Sequence, residues 1–223
     1  MKLPFKFLTG LFALACLASL AFAADASSFK PPAGARVAIV VFEDLECPTC
    51  ARSYPVVWDA AKAHNVPVLL HDFPLPKHAW SFDAAVYARF FDTKSEKMGD
   101  DFRAYIFKNQ INVTAQNLRT FVQKFADENK VPLPFVVDPE GRLKTTIRAD
   151  YDLGQRIGLE HTPTIFVVSA TSPFVEVPDA ALTDRAQLSQ IIEDMQKKTG
   201  PAAPAKATTT KTTKGKAVAK KKS

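Results

Sequence analysis

The sequence predicts an α/β fold, with the order βαβ, a helical insertion, then ββα. Three observations predict it. The run 37–42 (V-A-I-V-V-F) is continuously apolar and rich in β-branched residues, which suits a strand buried on both faces. The stretch 77–158 then shows a helical period. Finally, 164–169 (T-I-F-V-V-S) returns to a strand-like run.

The composition admits such a fold. The chain has 223 residues, 47% of them hydrophobic, which permits a sizeable core and excludes a wholly disordered chain. Its formal charge of +6 suggests a partner such as nucleic acid or an anionic membrane, but the charge is unevenly placed. Two lysines lie at the front (Lys2, Lys6) and seven after Thr199, where no acid occurs. Residues 24–198 hold 20 basic against 23 acidic side chains, so the part expected to fold is mildly acidic.

Taken in order, residues 1–23 read as a secretory signal: two lysines, an apolar stretch over 7–20, and Ala21-Phe22-Ala23 as the cleavage site. The apolar stretch is shorter than the roughly 20 residues that cross a bilayer. Acylation of Cys16 as a lipoprotein is disfavoured, because Ala13 stands where such sites prefer Leu and apolar residues continue past the cysteine. A polar lead-in, 24–35, precedes the first strand. The helix expected over 51–64 carries Val56, Val57, Ala60 and Ala61, and a second strand is expected over 66–71. Strand, helix and strand in quick succession form a βαβ unit with Cys47 and Cys50 at the first strand-to-helix turn.

In the insertion, Phe82, Val86 and Phe90 mark one helix, and Phe102, Tyr105 and Ile106 another. Thr114 is the expected cap of a third, whose apolar face is Leu118, Phe121, Val122 and Phe125. A fourth is expected from Asp138 as N-cap with Pro139 at N1, ending near Ile157 with Gly158 just beyond. These aromatics read as core. Strands at 164–169 and 174–177 and a helix at 184–198 complete the domain, 36–198. The tail 199–223 is Lys/Ala/Thr/Pro-rich, without apolar period, and is expected to be disordered.

Once the signal is removed, Cys47 and Cys50 are the remaining cysteines. A scaffold disulfide normally closes a longer loop, so this pair reads as chemistry. The pair sits where a helix begins. Unpaired N–H groups and the helix dipole there favour a thiolate, and such placement lowers a cysteine pKa from about 8.5 to roughly 3.5–7.5. Cys47 is expected as nucleophile and Cys50 as the thiol that resolves the mixed disulfide.

The first strand, the C-P-T-C turn (47–50), H-D-F-P-L-P (71–76), the helical insertion and H-T-P-T (161–164) together resemble the DsbA-like branch of the thioredoxin superfamily, over most of 36–198. The resemblance implies a thioredoxin-like fold and exchange of disulfides with protein substrates. It also implies a redox-active Cys47–Cys50 disulfide in place of any bound cofactor, and a membrane redox partner that re-oxidises or reduces the pair. Pro163 is then cis and faces the cysteines, and Thr162 binds the substrate backbone. An exported, periplasmic oxidase is the favoured direction, although Pro48 and Thr49 do not fix the redox potential. A reductase or isomerase kept reduced by a partner is the alternative.

Two departures stand out. Several relatives carry a buried acid six residues before the nucleophile, where this chain has Val41, so water or another group is expected to carry the Cys50 proton. The lead-in is too short for the separate dimerisation domain of the family's isomerases, and a monomer is expected. Asp44 and Glu46 would oppose a low thiolate pKa, or else are solvated loop carboxylates, which is the favoured reading. His161 is either a modulator that stabilises the thiolate or a turn residue without catalytic role. No metal is expected, since His71 and His78 match no zinc-ligand spacing. The competing reading is a binding protein that holds a metal or partner without turnover. The lysine-rich tail suits contact with a polyanion or a solubilising spacer. Lacking interleaved aromatics, it does not support sequence-specific nucleic-acid binding.

Overall fold

The computed structural model describes residues 29–200. The expected signal, and the tail beyond Gly200, lie outside those residues. Strand β1 (Val37–Glu43) leads to α1 (Pro48–His64) and β2 (Val68–Asp72). The insertion holds α2 (Ser81–Asp92), α3 (Glu96–Asn109), a 3-10 turn (Gln110–Asn112), α4 (Leu118–Glu128) and α5 (Arg142–Arg156). The chain closes with β3 (Thr164–Ser169), β4 (Val175–Glu176) and α6 (Arg185–Lys198). The sheet order is β2-β1-β3-β4, with β1 parallel to β2 and antiparallel to β3.

Every residue of β1 and β3 is buried because both sheet faces are covered. Strand parity divides the layers. Val37, Ile39 and Val41 pack with Val57 and Ala60 of α1 and Leu188 and Ile192 of α6. Ala38, Val40 and Phe42 face the other way, onto Phe73, Ile157 and Phe166. Phe29, in the lead-in read as polar, joins that second layer with its ring edge-on to Phe42 at 5.6 Å.

The expected order of elements holds, and the ends of several move. Helix α1 begins at Pro48 rather than near 51, so Cys47 is its N-cap. The fourth insertion helix does not place Pro139 at N1. Residues 138–141 form a turn, Gly141 at φ 71° precedes the first helical residue, and the Asp138 carboxylate reaches forward to the N–H groups of Leu143 (3.1 Å) and Lys144 (3.0 Å). Asp138 therefore does the chemistry of a cap from outside the helix. Thr114 caps the turn that leads into the helix, its hydroxyl accepting the N–H of Asn117 at 3.3 Å. Its carbonyl accepts the N–H of Leu118 across a turn, and α4 starts after Asn117.

The insertion has an aromatic core. Phe91, Phe102 and Phe125 meet with ring centroids 4.7–5.2 Å apart. Arg103, 1% exposed, is enclosed beside them. Its guanidinium forks onto Asp92 at 2.7 and 2.9 Å, and its Nε lies 3.2 Å from Glu43 at the end of β1. Gly99 makes room for this pair, since a Cβ there would lie 1.6 Å from an Asp92 oxygen. Arg89 of α2 bonds to Asp72 of β2 and, at 2.7 Å, to Asp150 of α5. These charges fasten the insertion to the parallel edge of the sheet.

Candidate active site

The site forms where β1 ends and α1 begins. Cys47 holds extended backbone (φ −79°, ψ 120°) and uses no side-chain cap, so its sulfur is free to lie over the first turn. Pro48 at N1 lacks an N–H that would be unpaired there. The backbone N–H groups of Cys50 and Thr49, at the start of α1, help to lower the Cys47 pKa. The Thr162–Pro163 bond is cis, and the Cys47 thiol donates to the Thr162 carbonyl at 3.2 Å. Register explains the meeting: Phe42 pairs with Thr164, which brings the residues just before β3 beside the turn that follows β1. The Thr162 hydroxyl is buried and makes no hydrogen bond among the described residues.

Both cysteines are free thiols, and their environments differ sharply. Cys47 has its pKa lowered to about 5, chiefly by the Cys50 thiol, then against burial by Thr162 and the two backbone N–H groups. Burial pushes the Cys50 thiol well above its ordinary value, and a charged Cys47 adds to this. The N–H of Asp44 donates to the Cys50 sulfur at 3.5 Å. Cys47 is 6% exposed and Cys50 2%, so exposure hardly separates them and ionisation is what distinguishes the two sulfurs.

Asp44 and Glu46 are not solvated loop carboxylates. Asp44 is 1% exposed and accepts four hydrogen bonds, from the N–H groups of Glu46 and Leu75 (both 2.7 Å), His78 Nδ1 (2.7 Å) and the Ser81 hydroxyl (2.5 Å). Glu46 accepts from the N–H groups of Trp80 and Ser81 at the start of α2. Sequence spacing could not show this, because every donor but the N–H of Glu46 arrives from 75–81. His78 thus orients Asp44, while His71 pairs with Asp150 at 2.7 Å. His161 is exposed, lines a cleft with Leu159, Phe166 and Phe174, and makes no hydrogen bond or ion pair to either cysteine. Thr49 accepts a bond from Arg52 at 3.0 Å.

Two residues of the site escaped the sequence. Glu43, 4% exposed, shares with Cys50, Ser53, Tyr54 and Pro163 the lining of a void of about 10 Å³, roughly one water in size. Burial raises its pKa to about 7, against the pull of Arg103. It sits two residues after Val41 on the same strand face. Parity was the signal that could have found it. Gln110, from the insertion, touches the turn itself and left no sequence signal.

A family profile described as Thioredoxin matches residues 33–194. No curated protein matches the sequence. Among solved structures, Proteus mirabilis ScsC with a linker deletion and an N6K mutation superposes with a TM-score of 0.62 at 14% identity, covering 86% of this chain and 90% of that one. The thiol–disulfide exchange protein alpha-DsbA2 from Wolbachia pipientis gives 0.57 at 17% identity over 74% and 85%. A periplasmic thioredoxin-like protein from Salmonella enterica serovar Typhimurium gives 0.57 at 14% over 75% and 87%.

Proposed function

The chain belongs to the thioredoxin family, and from that premise we propose that it is an exported thiol–disulfide oxidoreductase that donates disulfides to protein thiols through Cys47 and Cys50. The observation that carries this reading is the unequal ionisation of the two thiols beside the cis Thr162–Pro163 bond. A substrate thiolate attacks the Cys47 sulfur of the oxidised pair. The Cys47–Cys50 bond breaks, a mixed disulfide forms at Cys47, and Cys50 leaves with the electron pair. Cys50 cannot stay charged where it is buried, and Glu43, poised near neutrality across the shared void, supplies its proton. A second substrate thiolate then attacks the substrate sulfur of the mixed disulfide and releases Cys47 as a stable thiolate. Two electrons have passed from substrate to enzyme, and a redox partner removes them.

The direction follows from stability. Stabilising the Cys47 thiolate stabilises the reduced pair and makes the disulfide more oxidising, about 1.4 kcal/mol for each 30 mV. Export rests on the signal-like residues 1–23, and the Salmonella neighbour's description as periplasmic supports it. Among the described residues no helix is long and apolar enough to cross a membrane. The test is exchange itself. Cys47→Ser should abolish thiol oxidation and insulin reduction, and Cys50→Ser should accumulate mixed disulfides with substrate. Full activity in Cys47→Ser would end the proposal. An equilibrium with glutathione near that of thioredoxin would make the protein a reductase instead.

A further inference from the structure

The redox turn is held from three sides. Residues 75–81 bind the carboxylates of Asp44 and Glu46, Thr162 meets the Cys47 sulfur, and the third side belongs to Gln110. Its side-chain nitrogen donates to the carbonyl of Leu45 at 2.9 Å and to that of Cys47 at 3.0 Å. Both amide hydrogens are thereby used, and two facing carbonyls admit only the nitrogen end of the amide. Gln110 is itself fixed. Its N–H bonds back to Phe107, and its carbonyl accepts the N–H of Val113 to close the 3-10 turn. Phe107 and Val113 lie in the same core as Cys47 and Cys50.

We propose that Gln110 is the positioning residue of the redox turn: by gripping the Leu45 and Cys47 carbonyls it holds the peptide planes on both sides of Cys47 and so aims the sulfur at the first N–H groups of α1. The inference rests on the exchange chemistry proposed above. The reasoning is geometric. The direction of the Cys47 carbonyl is the ψ angle of Cys47, and ψ sets where the side chain stands relative to the Thr49 and Cys50 amides. The carbonyl of Cys47 also accepts the N–H of Ala51 at 3.1 Å. That one helical bond lets the plane tilt, whereas a second donor from a separate element opposes the tilt. An amide N–H₂ beside the sulfur's own peptide groups also adds the positive end of a dipole, which favours the thiolate. Among the described residues, no other hydrogen bond runs from the insertion beyond α2 to residues 44–47.

The test uses the full exported chain, reduced, with Gln110→Met and Gln110→Glu. Met keeps the length without donors, and Glu keeps the shape with acceptors in their place. Gln110 is half-buried at a turn, so neither exchange opens a cavity in the core. Two readouts are taken that a merely structural tie would leave alone: the thiolate titration of Cys47 by ultraviolet absorbance, and the equilibrium constant with glutathione. The titration should move up from about pH 5, by about one unit for Met and more for Glu, with a roughly tenfold fall in the glutathione equilibrium. If both variants titrate and equilibrate like the parent, the inference is overturned, whatever happens to the melting temperature. A parent Cys47 that titrates as an ordinary thiol and fails to exchange would instead overturn the proposed function, and this inference with it.

Discussion

The sheet half and the helical insertion both reach the redox turn, and they are made of different material. On the sheet face that packs against α1 and α6 the enclosed side chains are aliphatic: Ile39, Ile165, Val167, Leu188 and Ile192 have no exposed surface. The insertion encloses rings, and among them a guanidinium and the carboxylates that answer it. An aliphatic layer is non-directional and tolerates changes that keep volume. A buried ion pair depends on its partner, and losing one member leaves the other charged in apolar surroundings. The sheet half therefore acts as a platform that presents Cys47 and Pro163 to each other. The insertion bears on the electrostatics beneath Cys50 through Arg103, which lies against Glu43 at the end of β1.

The contrast is tested most severely at Arg103. Arg103→Met leaves Asp92 and Glu43 behind and should cost about 3–5 kcal/mol in denaturant unfolding; a cost below that of an aliphatic trim in the sheet would erase the distinction. Next comes Glu43, whose folded pKa of about 7 lies above the ordinary 4.5. Its contribution is fully present below pH 4.5 and is lost as pH rises towards 7, because the unfolded chain gives up the proton first. Native stability should therefore fall by roughly 3 kcal/mol across that window, and Glu43→Gln should flatten the slope. Unfolding curves for both proteins at several pH values decide it, and an unchanged slope would remove Glu43 as the titrating group. In the sheet, Ile165→Val should cost only about 0.5–1.5 kcal/mol, read as a shift in unfolding midpoint with the slope unchanged. Smallest of all, Lys97→Ala breaks an exposed pair with Asp101 and should cost about 0.3–0.5 kcal/mol, vanishing in high salt.

Legibility follows the same division. β1 and β3 could be placed to within a residue because burial on both faces makes 37–42 and 165–168 continuously apolar, a pattern carried by the chain itself. Cys47 and Cys50 were legible because their spacing is local, and Thr162-Pro163 because its flanking residues resemble a known family's. The helix starts were less so. Asp138 and Thr114 have the chemistry of caps, yet each acts across an intervening turn, and the length of a turn depends on what the helix packs against. Asp44 was misjudged for the opposite reason. A carboxylate beside a loop is solvated by default, and its burial depends on three donors, from Leu75, His78 and Ser81, that sequence distance hides.

By itself, then, the sequence determined the fold class, the order of elements and the place of the cysteine pair at the first strand-to-helix turn, because apolar period and a two-residue gap between cysteines are properties of neighbours along the chain. The tertiary structure decided the rest. It made Asp44 a buried hub, brought Glu43 to Cys50, placed Gln110 on the Cys47 carbonyl and left His161 apart from the cysteines. Each of these depends on distance and burial between segments tens of residues apart. Electrostatics in a low-dielectric interior are set by such approaches, and residue order does not specify them.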